Sequence, residues 1–174
     1  SILAIIGVFE KDGKLDIKEI KRLKQEYKPK KGEFLLTDAF YTKIGDSHFV
    51  SKLQAGDGRF FNLLDSTLMP IHYFGESPIK EEVDVMVAMN RLQGKMHVYK
   101  DKLFFGATDL PYLASYTLRD GKMQKDWSLY YDTPHYGISN GDVKLSREHS
   151  KGPLFSLQAD DKYIYLLYRN RLLW

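Results

Sequence analysis

Short apolar runs, each closed by Gly, Asp or Ser, dominate the chain. Phe49-Val50-Ser51-Lys52-Leu53 leads into Ala55-Gly56-Asp57-Gly58, and Phe60-Phe61-Asn62-Leu63-Leu64 leads into Asp65-Ser66-Thr67. The run from Leu68 to Phe74 stops at Gly75. Runs of this length, rich in aromatic residues and bounded by turn-formers, predict antiparallel strands joined by tight connections. Asp12-Gly13, Asp57-Gly58 and Asp120-Gly121 mark hairpins, because Gly accepts the positive φ that a twisted two-residue turn demands. A lone hairpin is marginal in water, so these strands must share sheets.

The pattern recurs. Leu103-Phe104-Phe105-Gly106-Ala107 begins 54 positions after Phe49. It is followed by the loop Thr108-Asp109-Leu110-Pro111, a run from Tyr112 to Leu118, the turn Arg119-Asp120-Gly121-Lys122 and a run from Met123 to Tyr131. Tyr163-Ile164-Tyr165-Leu166-Leu167-Tyr168 begins 60 positions after Leu103. One small sheet per period of this size is the signature of a propeller or a related array. Three stretches depart from it. Ile17, Ile20, Leu23 and Tyr27 sit at helical spacing, which suits a short helix, while the preceding Asp12-Gly13 suits a hairpin strand equally well. Ser77 to Gln93 reads as a connection between sheets, with one helical turn at most. Asp132 to Gly152, with Pro134, Gly137, Gly141 and Gly152, reads as the longest loop, and long loops in compact domains are often functional.

Composition narrows the class. The 174 residues suit one domain. Aromatic residues reach 14%, favouring pleated, half-buried surfaces. The absence of cysteine excludes disulfides, thiol catalysis and zinc–thiolate sites. A net charge of +3 does not argue for nucleic acid. The basic positions Lys18, Lys21, Arg22, Lys24, Lys28, Lys30 and Lys31 are interrupted by Glu19, Glu26 and Glu33 and lack interleaved aromatic platforms, so they read as a solvated face. No apolar run approaches the ~20 residues of a membrane-spanning helix. The expected fold is therefore all-β, with antiparallel four-stranded blades forming a partial β-propeller across residues 1–174.

Arg59 to Gly75, with Phe60-Phe61-Asn62-Leu63-Leu64-Asp65 closing on Ile71-His72-Tyr73-Phe74-Gly75, and Ala114 to Tyr131, around Tyr116-Thr117-Leu118-Arg119-Asp120-Gly121-Lys122, carry a family resemblance. The chain resembles the TolB-like and NHL-like six-bladed β-propellers, above all a group of secreted or lipid-anchored bacterial ones. At ~45 residues per blade, the chain supplies about three: two strands before Lys28, two fuller blades, and two strands near Phe155 to Tyr168. Propellers need four to eight blades. The reading thus expects a fragment of a longer propeller, a second copy completing the ring through open strand edges, or another topology. The opening Ser1 suits a processed or trimmed chain, and the apolar ending Leu172-Leu173-Trp174 suits a fragment or a dimer.

No assembled catalytic set emerges. Gly137-Ile138-Ser139-Asn140-Gly141 fits the nucleophile-elbow pattern, but Pro134 lies upstream and no βαβ alternation surrounds it. Val8 to Glu19 partly mimics a calcium loop, but Val8 at the first ligand position cannot coordinate. His48, His72, His97, His135 and His149 are scattered without metal-ligand spacing. The most site-like cluster is Asp132-Thr133-Pro134-His135-Tyr136, joined by Asp109 and Tyr112 if their loops share a rim. Asp109, Tyr112, Asp132, His135 and Tyr136 are accordingly the candidate ligand-binding residues, with no cofactor and no metal. The expected function is a non-catalytic, extracytoplasmic (periplasmic or cell-surface) binding module, its ligand an unidentified protein or small molecule. Two alternatives stand beside it. One is a lactonase-like or cyclase-like propeller enzyme with an axial metal pocket, for which Asp38, Asp109 and Asp132 are the candidate ligands. The other is a single closed β-barrel around a small apolar ligand.

Overall fold

The structure, a computed structural model, describes residues 2–11, 14–24, 41–52, 59–79, 83, 93–145 and 154–168, with side chains from residue 41 onward. Among these residues every regular element is a strand, and all pairings are antiparallel. None of them forms a helix long and apolar enough to cross a membrane.

β1 (Ile2–Lys11) and β2 (Lys14–Lys24) form a two-stranded ribbon in which Lys11 faces Lys14, with a register shift between Ile5 and Ile6. The helical spacing of Ile17, Ile20 and Leu23 therefore lies within a strand; the partner strand, not the local period, sets its conformation. Asp12-Gly13, Asp57-Gly58, Tyr27, Asp38 and most of the Ser77 to Gln93 connection lie outside the described residues.

The first four-stranded sheet is a meander of β3 (Tyr41–Ile44), β4 (His48–Lys52), β5 (Phe61–Leu64) and β6 (Pro70–Phe74). The second repeats the plan with β7 (Gly94–Tyr99), β8 (Lys102–Ala107), β9 (Tyr112–Arg119) and β10 (Lys122–Tyr130). Asp120 and Gly121 have φ of 49° and 70°, the left-handed pair of a two-residue hairpin turn between β9 and β10.

Residues 132–152 are not one continuous loop as expected. They contain the hairpin of β11 (Tyr136–Ser139) and β12 (Asp142–Leu145), turned at Asn140 and Gly141 with φ of 55° and 72°. The Gly137–Gly141 motif is thus a strand end and its turn, not a strand–turn–helix elbow. A last hairpin, β13 (Leu154–Ala159) and β14 (Ile164–Tyr168), follows. Each sheet has open outer strands, so the described residues form no closed barrel.

The two meanders pack face to face, with like strands adjacent: β3 lies beside β7 and β6 beside β10. β13 in turn lies beside β7 and β8. The alternation along β8 shows how one sheet serves two cores. Leu103, Phe105 and Ala107 face the first sheet, joining Val50, Phe61, Leu63 and Phe74. Phe104 points the other way, into a cluster with Leu113, Leu154 and Leu157. Phe61 is the hub of the first core, fully buried, with Phe105 edge-on at 5.0 Å, Phe74 at 5.3 Å and Tyr116 edge-on at 6.0 Å. Tilted and edge-on rings fill space while matching the positive edge of one ring to the negative face of the next. At the second interface Gly106 admits the hairpin: a Cβ there would lie 2.6 Å from Leu154 and 2.9 Å from Leu157. The Leu154 N–H also donates to the Thr108 carbonyl at 2.8 Å.

Candidate functional site

Among the clefts of the described surface, two lie where strands and turns meet. The larger, about 250 Å³, lies where the β7–β8 turn meets the β13–β14 turn. Two of its three carboxylates, those of Asp160 and Asp161, are engaged within the fold. Asp161 accepts from Lys100 Nζ at 2.6 Å and from the Tyr99 hydroxyl at 2.9 Å. Asp160 accepts from the N–H groups of Lys162 and Tyr163 and from the Tyr165 hydroxyl. These hydrogen bonds hold both carboxyls below their usual pKa, with the backbone N–H of Lys162 foremost for Asp160 and Lys100 foremost for Asp161. This cleft is a clasp between two turns.

The second cleft, about 170 Å³, is built differently. Its floor is the β9–β10 pair. Tyr112 faces Tyr130, Ala114 faces Ser128 and Tyr116 faces Lys125. Simple alternation would place Lys125 and Ser128 on opposite faces, since an odd number of positions separates them. A bulge at Asp126, between Lys125 and Trp127, absorbs the extra residue and returns both to one face. The bulge is pinned from the other side: Asp126 accepts from the Thr117 hydroxyl at 2.6 Å and from Arg119 at 3.1 Å. The pair Ala114 and Ser128 lies between two bulkier pairs, and Ser128 lines the hollow with them.

Glu76, Ser77 and Pro78 complete the wall. Ser77 Oγ accepts the Ile79 N–H at 3.1 Å, and Ile79 is buried in the core. The Tyr130 hydroxyl donates to the Pro78 carbonyl at 3.3 Å, and the Tyr112 and Tyr130 rings meet edge-on at 5.5 Å. Lys125 Nζ and Glu76 Oε2 stand 3.9 Å apart, both well exposed.

At the base lies Tyr116, only 2% exposed, its ring edge-on to Phe74 at 5.1 Å. Its hydroxyl is buried and has no hydrogen-bond partner. Burial pushes this phenol above its usual pKa, helped by Tyr112 and Glu76. Burial likewise raises Tyr112, with Glu76 adding to the effect and a hydrogen bond from Ser128 opposing it. Both phenols therefore stay protonated and able to donate. A buried hydroxyl without a partner forfeits its hydration and gains nothing in return.

Of the candidate residues read from sequence, Tyr112 lines this cleft. Asp109 is exposed in the β8–β9 loop, and Asp132 is exposed and accepts the Thr133 N–H at 2.8 Å. His135 is exposed at the entry to β11, while Tyr136 packs against the main core. None of these four lines the Tyr112 cleft. Sequence reasoning missed Glu76, Tyr116, Lys125, Ser128 and Tyr130; the signal for three of them was the bulge, which strand alternation conceals. Among the described residues no group of three or more His, Asp or Glu side chains is placed to hold a metal ion. No family model, curated protein or solved structure matches the chain.

Proposed function

We propose that this protein is a non-catalytic binding module of β-propeller type, acting outside the cytoplasm, and that its ligand docks in the cleft over Tyr116. The unpartnered, fully buried Tyr116 hydroxyl carries this reading. Two protonated phenols and the Ser128 hydroxyl favour a neutral acceptor oxygen, such as an amide or ketone carbonyl, on a compact apolar body. The propeller part of the proposal is supported by like-on-like stacking. Sheets whose first strands neighbour one another (β3, β7, β13) and whose last strands do the same (β6, β10) are arranged as blades around an axis are. The resemblance to TolB-like and NHL-like propellers supports the same reading and supplies the extracytoplasmic placement.

Protein-observed NMR titration with a panel of small amides and lactams tests it. Binding that perturbs Tyr112, Ser128 and Tyr130 resonances and is lost in Tyr116→Phe is the expected result. Equal binding by the wild type and this variant, or no binder in the panel, would count against the cleft.

A further inference from the structure

Glu76 and Lys125 bring opposite charges to the Tyr116 cleft from two different sheets. Both stand on backbone that the fold fixes. Lys125 is the cross-strand partner of Tyr116, next to the bulge that Thr117 and Arg119 pin through Asp126. Glu76 follows Gly75, whose φ of 82° turns the chain out of β6. A Cβ at Gly75 would lie 2.6 Å from the Phe61 ring, so this turn requires glycine. One residue further, Ser77 Oγ accepts the Ile79 N–H, and Ile79 is anchored in the core. The contact between the two charges is nevertheless loose. Nζ and Oε2 are 3.9 Å apart, beyond hydrogen-bond length, and both side chains are well exposed. An exposed pair of this kind contributes little, so it separates readily.

The depth of the cleft has a different chemistry from its mouth. There the buried, unpartnered Tyr116 hydroxyl is a neutral donor, with Tyr112 beside it. A carbonyl oxygen suits the depth, while an ammonium and a carboxylate suit the mouth. A ligand with one charge would part Glu76 from Lys125 and leave one of them without a replacement. A ligand with both charges replaces the contact at each end. The hollow holds about 170 Å³, less than the roughly 300–1,000 Å³ of drug-sized sites. An uncapped dipeptide meets all of these conditions. It sets one amide carbonyl between an ammonium and a carboxylate, with its ends about 7 Å apart when extended. Pro78 and Leu129 supply apolar wall for small side chains. We propose that the cleft takes short zwitterionic peptides, with the amide carbonyl on the Tyr116 hydroxyl, the ammonium on Glu76 and the carboxylate on Lys125. This rests on the Tyr116 cleft being the ligand site, and it adds the charges that the ligand must carry.

Four probes test the proposal by NMR titration of the protein: Ala-Ala, N-acetyl-Ala-Ala, Ala-Ala amide and the doubly capped N-acetyl-Ala-Ala amide. Ala-Ala should bind tightest, and each cap should weaken binding by roughly two- to fivefold, the range an exposed charge contact supplies. Added salt should weaken Ala-Ala more than the doubly capped probe. Glu76→Gln should erase the effect of the acetyl cap and leave that of the amide cap, and Lys125→Gln should do the reverse. Both positions are exposed, so neither variant endangers the fold. A cap effect that persists in the matching variant is steric and overturns the proposal. Equal binding of all four probes, lost in Tyr116→Phe, overturns the charge assignment and leaves the cleft itself standing. Binding that Tyr116→Phe does not change, or no binding of any probe, overturns both.

Discussion

His72 on β6 accepts a hydrogen bond at Nδ1 from the backbone N–H of Met123 on β10, at 3.2 Å, and so ties the outer strand of one sheet to that of the next. An accepting Nδ1 requires a neutral ring with its proton on Nε2. Burial, then Lys122 and Arg59, hold the imidazole below its usual pKa of 6.5. The folded state thus binds fewer protons than the unfolded state between the lowered value and 6.5, and stability rises with pH through that window. The contribution is complete above pH 6.5 and declines as the pH falls below it. Urea unfolding between pH 5 and 8 should show this slope, and His72→Phe should flatten it. An unchanged slope in the variant would remove His72 from this role.

Tyr116→Phe deletes a buried hydroxyl that has no partner, so it should not destabilise the fold. The expected change in unfolding free energy is neutral, or a gain of up to about 1 kcal/mol. A loss of more than about 1 kcal/mol in urea unfolding would mean that the hydroxyl is satisfied in solution.

Phe61 sits at the centre of the ring cluster between the sheets, while Phe155 is 63% exposed on the outer face of β13. Phe61→Ala should cost about 3–5 kcal/mol. Phe155→Ala should stay within about 0.5 kcal/mol. Comparable losses in the two variants would contradict the packing described for the first sheet pair.

Gly106→Ala places a methyl against Leu154 and Leu157 and should cost about 1–3 kcal/mol. Hydrogen exchange should accelerate first in β13 and β14, the hairpin that this contact seats. Adding Leu154→Ala makes room, so the double variant should lose less than the sum of the two single ones.

The strands easiest to read from sequence are those buried on both faces. Leu103 to Ala107 and Tyr112 to Leu118 are nearly continuous apolar runs, and both became central strands of the second meander. β7 escaped because it is half-buried along its length, with Lys95 and His97 alternating with Met96 and Val98. β3 has four residues, of which only Ile44 is fully buried. The β11–β12 hairpin was announced by Asn140-Gly141, but its largely exposed residues gave no apolar run to flank that turn. At the cleft, Tyr112 was named from sequence only as part of a loop rim shared with Asp109, whereas it is the first residue of β9. Lys125, Ser128 and Tyr130 were not, because their shared orientation depends on one extra residue held by Thr117 and Arg119.

β8 is a party wall. Its odd-numbered positions furnish one chamber and Phe104 and Gly106 its neighbour, so a single-residue insertion or deletion within it would swap the furnishings of both at once. The length of that strand is therefore under tighter constraint than the identity of any one of its side chains.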